Sequence, residues 1–110
     1  MADKNFEQGA SNAFADLGFP PDEAQGLAAK AALILAVQRA METRAMTQAQ
    51  AARLCGTDQP TLSKVLHGRM SSVTVDRLAH WLTALGQDVD ITVHPAPPTR
   101  HALRRAAAGT

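Results

Sequence analysis

Two residues suited to capping helices flank a glycine in the middle of the chain, and their spacing limits the possible folds more than any other feature. Thr47 and Asp58 each stand where a helix can begin, and Gly56 lies between them. Thr and Asp side chains accept backbone amides that the first helical turn leaves free, and Gln50 completes a capping box with Thr47. Glycine tolerates the positive φ at which a helix can end abruptly. We therefore predict two short helices joined by a tight turn at the glycine.

The flanking sequence predicts further helices. Residues 22–44 are rich in alanine and contain no proline and a single glycine, so they favour one long helix. Thr74 can cap another helix that Gly86 would end. Aromatic residues make up only 4% of the chain, so a core must come mostly from small and aliphatic side chains, which favours packed helices. The expected core stripe of the long helix consists of Leu33, Ile34, Val37 and Met41.

Both ends of the chain differ from this helical pattern. Residues 1–21 contain Gly9, Gly18 and two prolines, and we expect an irregular N-terminal arm held by Phe14, Leu17 and Phe19. Apolar and polar residues alternate over 88–94, which is typical of a half-buried β-strand. Residues 95–110 are basic and rich in proline and alanine, and we expect a disordered tail. The domain therefore spans 22–94 and combines four to five helices with one C-terminal strand.

Composition excludes several classes of protein. A chain of 110 residues forms one domain, and its single cysteine excludes a disulfide framework or a zinc site made of several thiolates. The longest apolar run, 31–37, is too short to span a membrane, and early acidic residues argue against a secretory signal. The four histidines lack metal-ligand spacing, and no nucleophile–base arrangement stands out. We expect a cytoplasmic protein that is not an enzyme, needs no cofactor and has no membrane partner.

The central segment resembles a helix-turn-helix motif. Counted from Gln48, a small residue stands at position five (Ala52), the turn glycine at nine, and apolar residues at fifteen and eighteen (Leu62 and Val65). The small residue lets two helices cross closely, and the apolar pair locks the second helix onto the first. Agreement at all four positions, with caps at both helix starts, is improbable by chance.

The resemblance extends to a family. Residues 33–86 resemble the lambda-repressor/Cro (XRE) type of helix-turn-helix domain, and the segments 12–20 and 82–91 are similar to small HigA-like antitoxins. The resemblance implies a mainly α, lambda-repressor-like bundle. It also implies a repressor that controls its own promoter and neutralises a small RelE/HigB-like ribonuclease toxin.

The same resemblance assigns roles to individual residues. The second helix of the motif would enter the major groove of DNA by its N-terminus, so that its early side chains read base edges. The expected base contacts are Gln59, Pro60, Thr61, Ser63 and Lys64. The start of the preceding helix and the loop after the recognition helix would hold phosphates. The expected phosphate contacts are Thr47, Gln48, Arg53, Arg69, Ser71 and Ser72.

A homodimer on a palindromic operator follows from the small charge of the motif. From Thr47 to Arg77 the sequence has four basic and two acidic residues, so affinity for DNA would depend on doubling this modest basic surface. An unpaired strand seeks a partner, and we predict dimerisation through Val89, Ile91, Val93 and Trp81. A dimer through Leu27, Ala31 and Leu35 on the long helix stays open. Two alternative functions also stay open: a stand-alone phage-like repressor without a toxin, and a protein-interaction module that no longer binds DNA.

Overall fold

A computed structural model of the chain describes residues 2–93 and 95, with side chains from residue 9 onward. The described residues form five α-helices and one short 3-10 helix, and no strand forms among them. The helices are α1 (Ala2–Asp16), α2 (Pro21–Thr43), α3 (Gln48–Cys55), α4 (Gln59–Leu66) and α5 (Val75–Ala84), with the 3-10 helix at Met70–Ser72 between the last two. The mainly helical class predicted from the sequence is confirmed.

The core lies where the C-terminal half of α2 meets α3, α4 and α5. Ile34, Val37 and Met41 from the predicted stripe of α2 are buried in it, and Leu33 is partly buried against it. Trp81 is the largest fully buried side chain and is 1% exposed. Of the two roles open to Trp81, core residue or dimer anchor, its burial supports the first, because its ring belongs to the interior of the protomer.

The N-terminal segment is helical, and the prediction of an irregular arm is wrong. Helix α1 packs along the N-terminal half of α2, where Ala24 and Ala28 are buried outside the main core. A glycine inside a helix costs only about 1 kcal/mol, so Gly9 does not end α1 when the helix can pack on a neighbour. Helix α1 ends at Asp16, and Gly18, whose φ is 102°, turns the chain two residues later.

The predicted C-terminal strand is not confirmed. Residues 88–93 follow α5 without regular structure, and the last residue of the predicted strand, His94, lies outside the described residues. Val89 is half-buried against the core, whereas Ile91 and Val93 are 70% and 89% exposed. A strand needs a partner for its backbone groups, and the described part of a single protomer supplies none. The predicted tail, 95–110, lies outside the described residues except for Pro95.

Candidate nucleic-acid interface

Helices α3 and α4 and the turn between them have the geometry that the caps predicted. The Thr47 hydroxyl accepts the amide of Gln50 at 3.1 Å, and the Gln50 side chain accepts the amide of Thr47 at 2.9 Å. The Asp58 carboxylate accepts the amide of Thr61 at 2.7 Å. Gly56 ends α3 with a φ of 72°. The capping box, the cap of α4 and the turn glycine are thus confirmed, and together they fix the start of each helix.

The packing between the two helices also follows the predicted spacing. Ala52 is 3% exposed, and Leu62 and Val65 are fully buried. Cys55 is buried beside them, and its thiol donates a weak hydrogen bond to the carbonyl of Trp81 at 3.8 Å. Burial raises the pKa of the Cys55 thiol, so the thiolate is disfavoured and the residue behaves as a small hydrophobic side chain.

The outer face of α4 carries most of the side chains that were expected to read bases. Gln59, Pro60 and Lys64 are exposed, and Pro60 and Lys64 are one helical turn apart on the same face. Thr61 and Ser63 are only half-buried, and the Ser63 hydroxyl lies 3.4 Å from the ring of His67. The structure therefore exposes Gln59, Pro60 and Lys64 on α4 and turns Thr61 and Ser63 partly toward the protein.

The expected phosphate contacts fall into two places. At the start of α3, the capping box occupies the amides of Thr47 and Gln50, so the amides of Gln48 and Ala49 are the ones aimed outward for an anion. Arg53 is exposed in the last turn of the same helix. The geometry brings the capping residues together and leaves Arg53 on the outer side of α3.

The second place is the loop after α4, which contains the exposed side chains of Arg69, Ser71 and Ser72. The Ser72 hydroxyl donates to the carbonyl of Arg69 at 2.7 Å. Lys30 of α2 donates to the carbonyl of Met70 at 3.0 Å. These bonds tie the loop to itself and to the long helix, so the three candidate residues are held on one ordered segment.

Arg77 is a charged residue near this surface that the sequence analysis did not select. It lies in the first turn of α5, and its guanidinium stands 6.0 Å from the centroid of the Trp81 ring. Together with Gly56 and Thr74 it lines an open cleft of about 470 Å³ beside the turn. A cation in the first turn of a helix interacts unfavourably with the helix dipole. This unfavourable position of Arg77 could have indicated, from the sequence, that Arg77 has a role other than stabilising α5.

The start of α4 carries a negative charge that nearby cations offset. The hydrogen bonds from Thr61 hold the pKa of the Asp58 carboxyl below its usual range, and the positive charges of Lys64 and Arg77 lower it further. Asp58 is therefore ionised over the whole physiological pH range. The charges of Asp58, Lys64 and Arg77 sum to +1, so the two cations more than offset the carboxylate.

Other kinds of site find little support in the described residues. No group of three or more His, Cys, Asp or Glu residues is placed to hold a metal ion between residues 9 and 93. Within the described part of the chain, no helix is both long and apolar enough to cross a membrane. A second open cleft of about 430 Å³ lies between α2, α3 and α4 and is lined by residues that include Gln38, Gln48 and His67.

Comparison with known proteins relates the chain to a family of domains. A family model described as a helix-turn-helix domain matches residues 13–94, which include all of α2, α3, α4 and α5 and the last turn of α1. No curated protein and no solved structure matches the chain.

Proposed function

Because the chain belongs to the family of helix-turn-helix domains, we propose that it is a sequence-specific DNA-binding repressor that acts in the cytoplasm as a homodimer. The observation that carries the proposal is the exposure of Gln59 and Pro60 in the first turn of α4 and of Lys64 in its last turn. A glutamine can pair with adenine through two hydrogen bonds, a lysine can donate to guanine, and the proline ring can contact a thymine methyl group. No catalytic step is part of this function.

Phosphate contacts would place α4 in the major groove. The outward amides of Gln48 and Ala49 favour a phosphate at the start of α3. Arg69, Ser71 and Ser72 offer a second contact after α4. Such contacts fix the register of the protein on the duplex, and the side chains of α4 then read the sequence.

Dimerisation would supply the affinity for DNA that a single protomer lacks. Between Thr47 and Arg77 the chain has four basic and two acidic residues, and because each phosphate contact adds to the affinity for DNA, so few cations give only weak binding. Two copies related by a two-fold axis would double this surface and would require a palindromic operator.

We further propose that the protein is the antitoxin of a pair with a RelE/HigB-like ribonuclease and represses the promoter of that pair. This part rests on the resemblance to HigA-like antitoxins. Its test is purification of the full chain from its native cell, with the bound proteins identified and assayed as ribonucleases. A chain that binds operator DNA but carries no ribonuclease would be a stand-alone repressor.

The reading of DNA is tested with duplexes selected from a random pool by the native protein. Gln59→Ala and Lys64→Ala should each weaken binding to the selected duplex by about 1–3 kcal/mol and leave binding to a scrambled duplex nearly unchanged. Gln25→Ala, at an exposed glutamine of α2, is the matched control and should bind both duplexes normally. Equal losses on both duplexes would reassign the residue to phosphate contact, and failure to select any sequence would overturn sequence-specific binding.

A further inference from the structure

The turn that joins α1 to α2 presents apolar side chains to solvent. Leu17 is 75% exposed and Phe19 is 41% exposed, and Pro20 next to them is also exposed. We call residues 16–23 the hairpin tip. Neither Leu17 nor Phe19 belongs to the hydrophobic core, although both were expected to hold the N-terminal segment in place.

The hairpin tip is an ordered turn. The amide of Phe19 donates to the carbonyl of Phe14 at 3.2 Å, and the amide of Gly18 donates to the carbonyl of Ala15 at 3.0 Å. This is the Schellman pattern of helix ends, and the edge-to-face contact of Phe14 with Phe19 at 5.9 Å is the apolar contact that accompanies it. The motif explains the position of Phe19 but gives Leu17 no partner, and an ordered surface loses little entropy on binding.

The hairpin tip is also acidic. Asp16, Asp22 and Glu23 are exposed around the apolar turn, and residues 9–29 contain no lysine or arginine. Asp22 and Glu23 suit the first turn of α2, where negative charge is favoured. Asp16 stands in the last turn of α1, where negative charge is disfavoured. Helix stability therefore does not explain why an acidic residue stands at position 16.

The hairpin tip lies at the N-terminal end of α2, away from the turn that leads into α3. Helix α2 has 23 residues, so at 1.5 Å per residue about 35 Å separates the tip from the C-terminal end of α2. The loop after α4 lies nearer to the tip, because Lys30 of α2 donates to the carbonyl of Met70. The molecule is correspondingly elongated and measures 54 Å along its longest axis. A partner that contacts only the tip would therefore leave the far end of α2 and the segment that leads into α3 free.

We propose that the hairpin tip is the docking surface for a small basic protein. Leu17 and Phe19 would fill an apolar depression on the partner, and the three carboxylates would face its lysines and arginines. Symmetric pairing of two tips would bring like charges together. Negative charge likewise disfavours nucleic acid or an anionic membrane at this place. The inference rests on the proposed protein partner and assigns it a surface.

The test compares full chains purified from the native cell. The double variant Leu17→Ser/Asp16→Asn changes the tip, and Leu54→Ser is the matched control because Leu54 is a 48% exposed leucine on α3. We expect the native chain and the control to retain the same basic protein, and the double variant to retain at least about tenfold less of it. That protein, once purified, should bind the native chain more weakly as salt rises. All three chains should keep the same melting temperature and DNA affinity.

Three results would overturn the proposal. Equal retention of the partner by the double variant would place its binding site elsewhere while leaving the proposed toxin partner intact. A native chain that retains no basic protein would remove both the docking surface and the antitoxin role, without touching DNA binding. A change in self-association of the purified double variant, with no loss of a basic protein, would assign the tip to a second copy of this chain.

Discussion

Asp58 has two effects on the recognition helix α4. Its carboxylate caps the helix through the amide of Thr61, and its negative charge lies at the end proposed to enter the major groove. Lys64 and Arg77 interact favourably with this charge. Asp58 therefore caps α4, and the positive charges of Lys64 and Arg77 prevent a net negative charge near the DNA.

The cap should make stability depend on pH in acid. The pKa of Asp58 is lower in the folded protein than its usual value, so its contribution is fully present above the unfolded value of about 3.9 and is lost as pH falls through the folded pKa. Asp58→Asn keeps a capping oxygen without charge. The native chain should melt higher than the variant at pH 7, and the gap should shrink below pH 4. A gap that stays constant across this range would contradict the account.

Arg77 is predicted to contact DNA phosphate. Its guanidinium lies against Trp81 beside the start of α4, so little side-chain freedom is lost when it binds. Arg77→Ala should weaken binding to selected and scrambled duplexes alike and reduce the slope of log affinity against log salt by about one. Arg77→Lys, which keeps the charge, should retain most of that slope. An unchanged slope in Arg77→Ala would limit Arg77 to balancing Asp58 within the protein.

The turn between α3 and α4 needs glycine at position 56 because of its backbone conformation, and not because a side chain would lack room there. A β-carbon at Gly56 would meet nothing within 4 Å, but its φ of 72° is strained for other residues. Gly26 also has open space, and it lies within α2 in ordinary helical conformation. Both glycines therefore have room for a β-carbon, and they differ in backbone conformation: left-handed at Gly56 and helical at Gly26.

The two corresponding alanine variants should change stability in opposite directions. Gly56→Ala should lower the free energy of unfolding by about 1–2 kcal/mol because of the left-handed conformation. Gly26→Ala should raise it by about 0.5–1 kcal/mol because alanine favours a helix. Denaturant unfolding of both variants beside the native chain measures the difference. A neutral Gly56→Ala would mean that the turn adopts another conformation in solution.

Assembly of two protomers is predicted to use the segment after α5. Ile91 and Val93 are largely exposed in the protomer, whereas Val89 packs against the core. Pairing of two such segments would cover the exposed side chains and satisfy backbone groups that one protomer leaves to solvent.

A proline in this segment separates the two possible dimers. Ile91→Pro removes a backbone donor and an apolar contact, so we expect a monomer at micromolar concentration with weaker operator binding. Ile91→Val keeps both and should remain a dimer. Sedimentation measures the mass of each. A dimeric Ile91→Pro variant would shift the interface to the half-buried side chains Leu27, Ala31 and Leu35 on α2.

Features that depend on neighbours along the chain could be predicted from the sequence. The caps at Thr47, Asp58 and Thr74 each bond an amide three residues away, and a turn glycine acts through its own φ. Short-range bonds of this kind need no knowledge of the rest of the fold. The helix-turn-helix followed from them, whereas the residues of α4 expected to read bases came from the resemblance to a known family.

Features that join distant parts of the chain were decided by tertiary packing. Helix α1 forms where the small side chains of α2 give it a surface to pack on. Trp81 became core because α2 and α3 close over it, and Arg77 approaches Asp58 although nineteen positions separate them. The pattern of residues 88–94 favours a strand, but a strand also needs a partner. Local pattern therefore specified where the helices begin and end, and long-range contacts decided which side chains they cover and which they leave exposed.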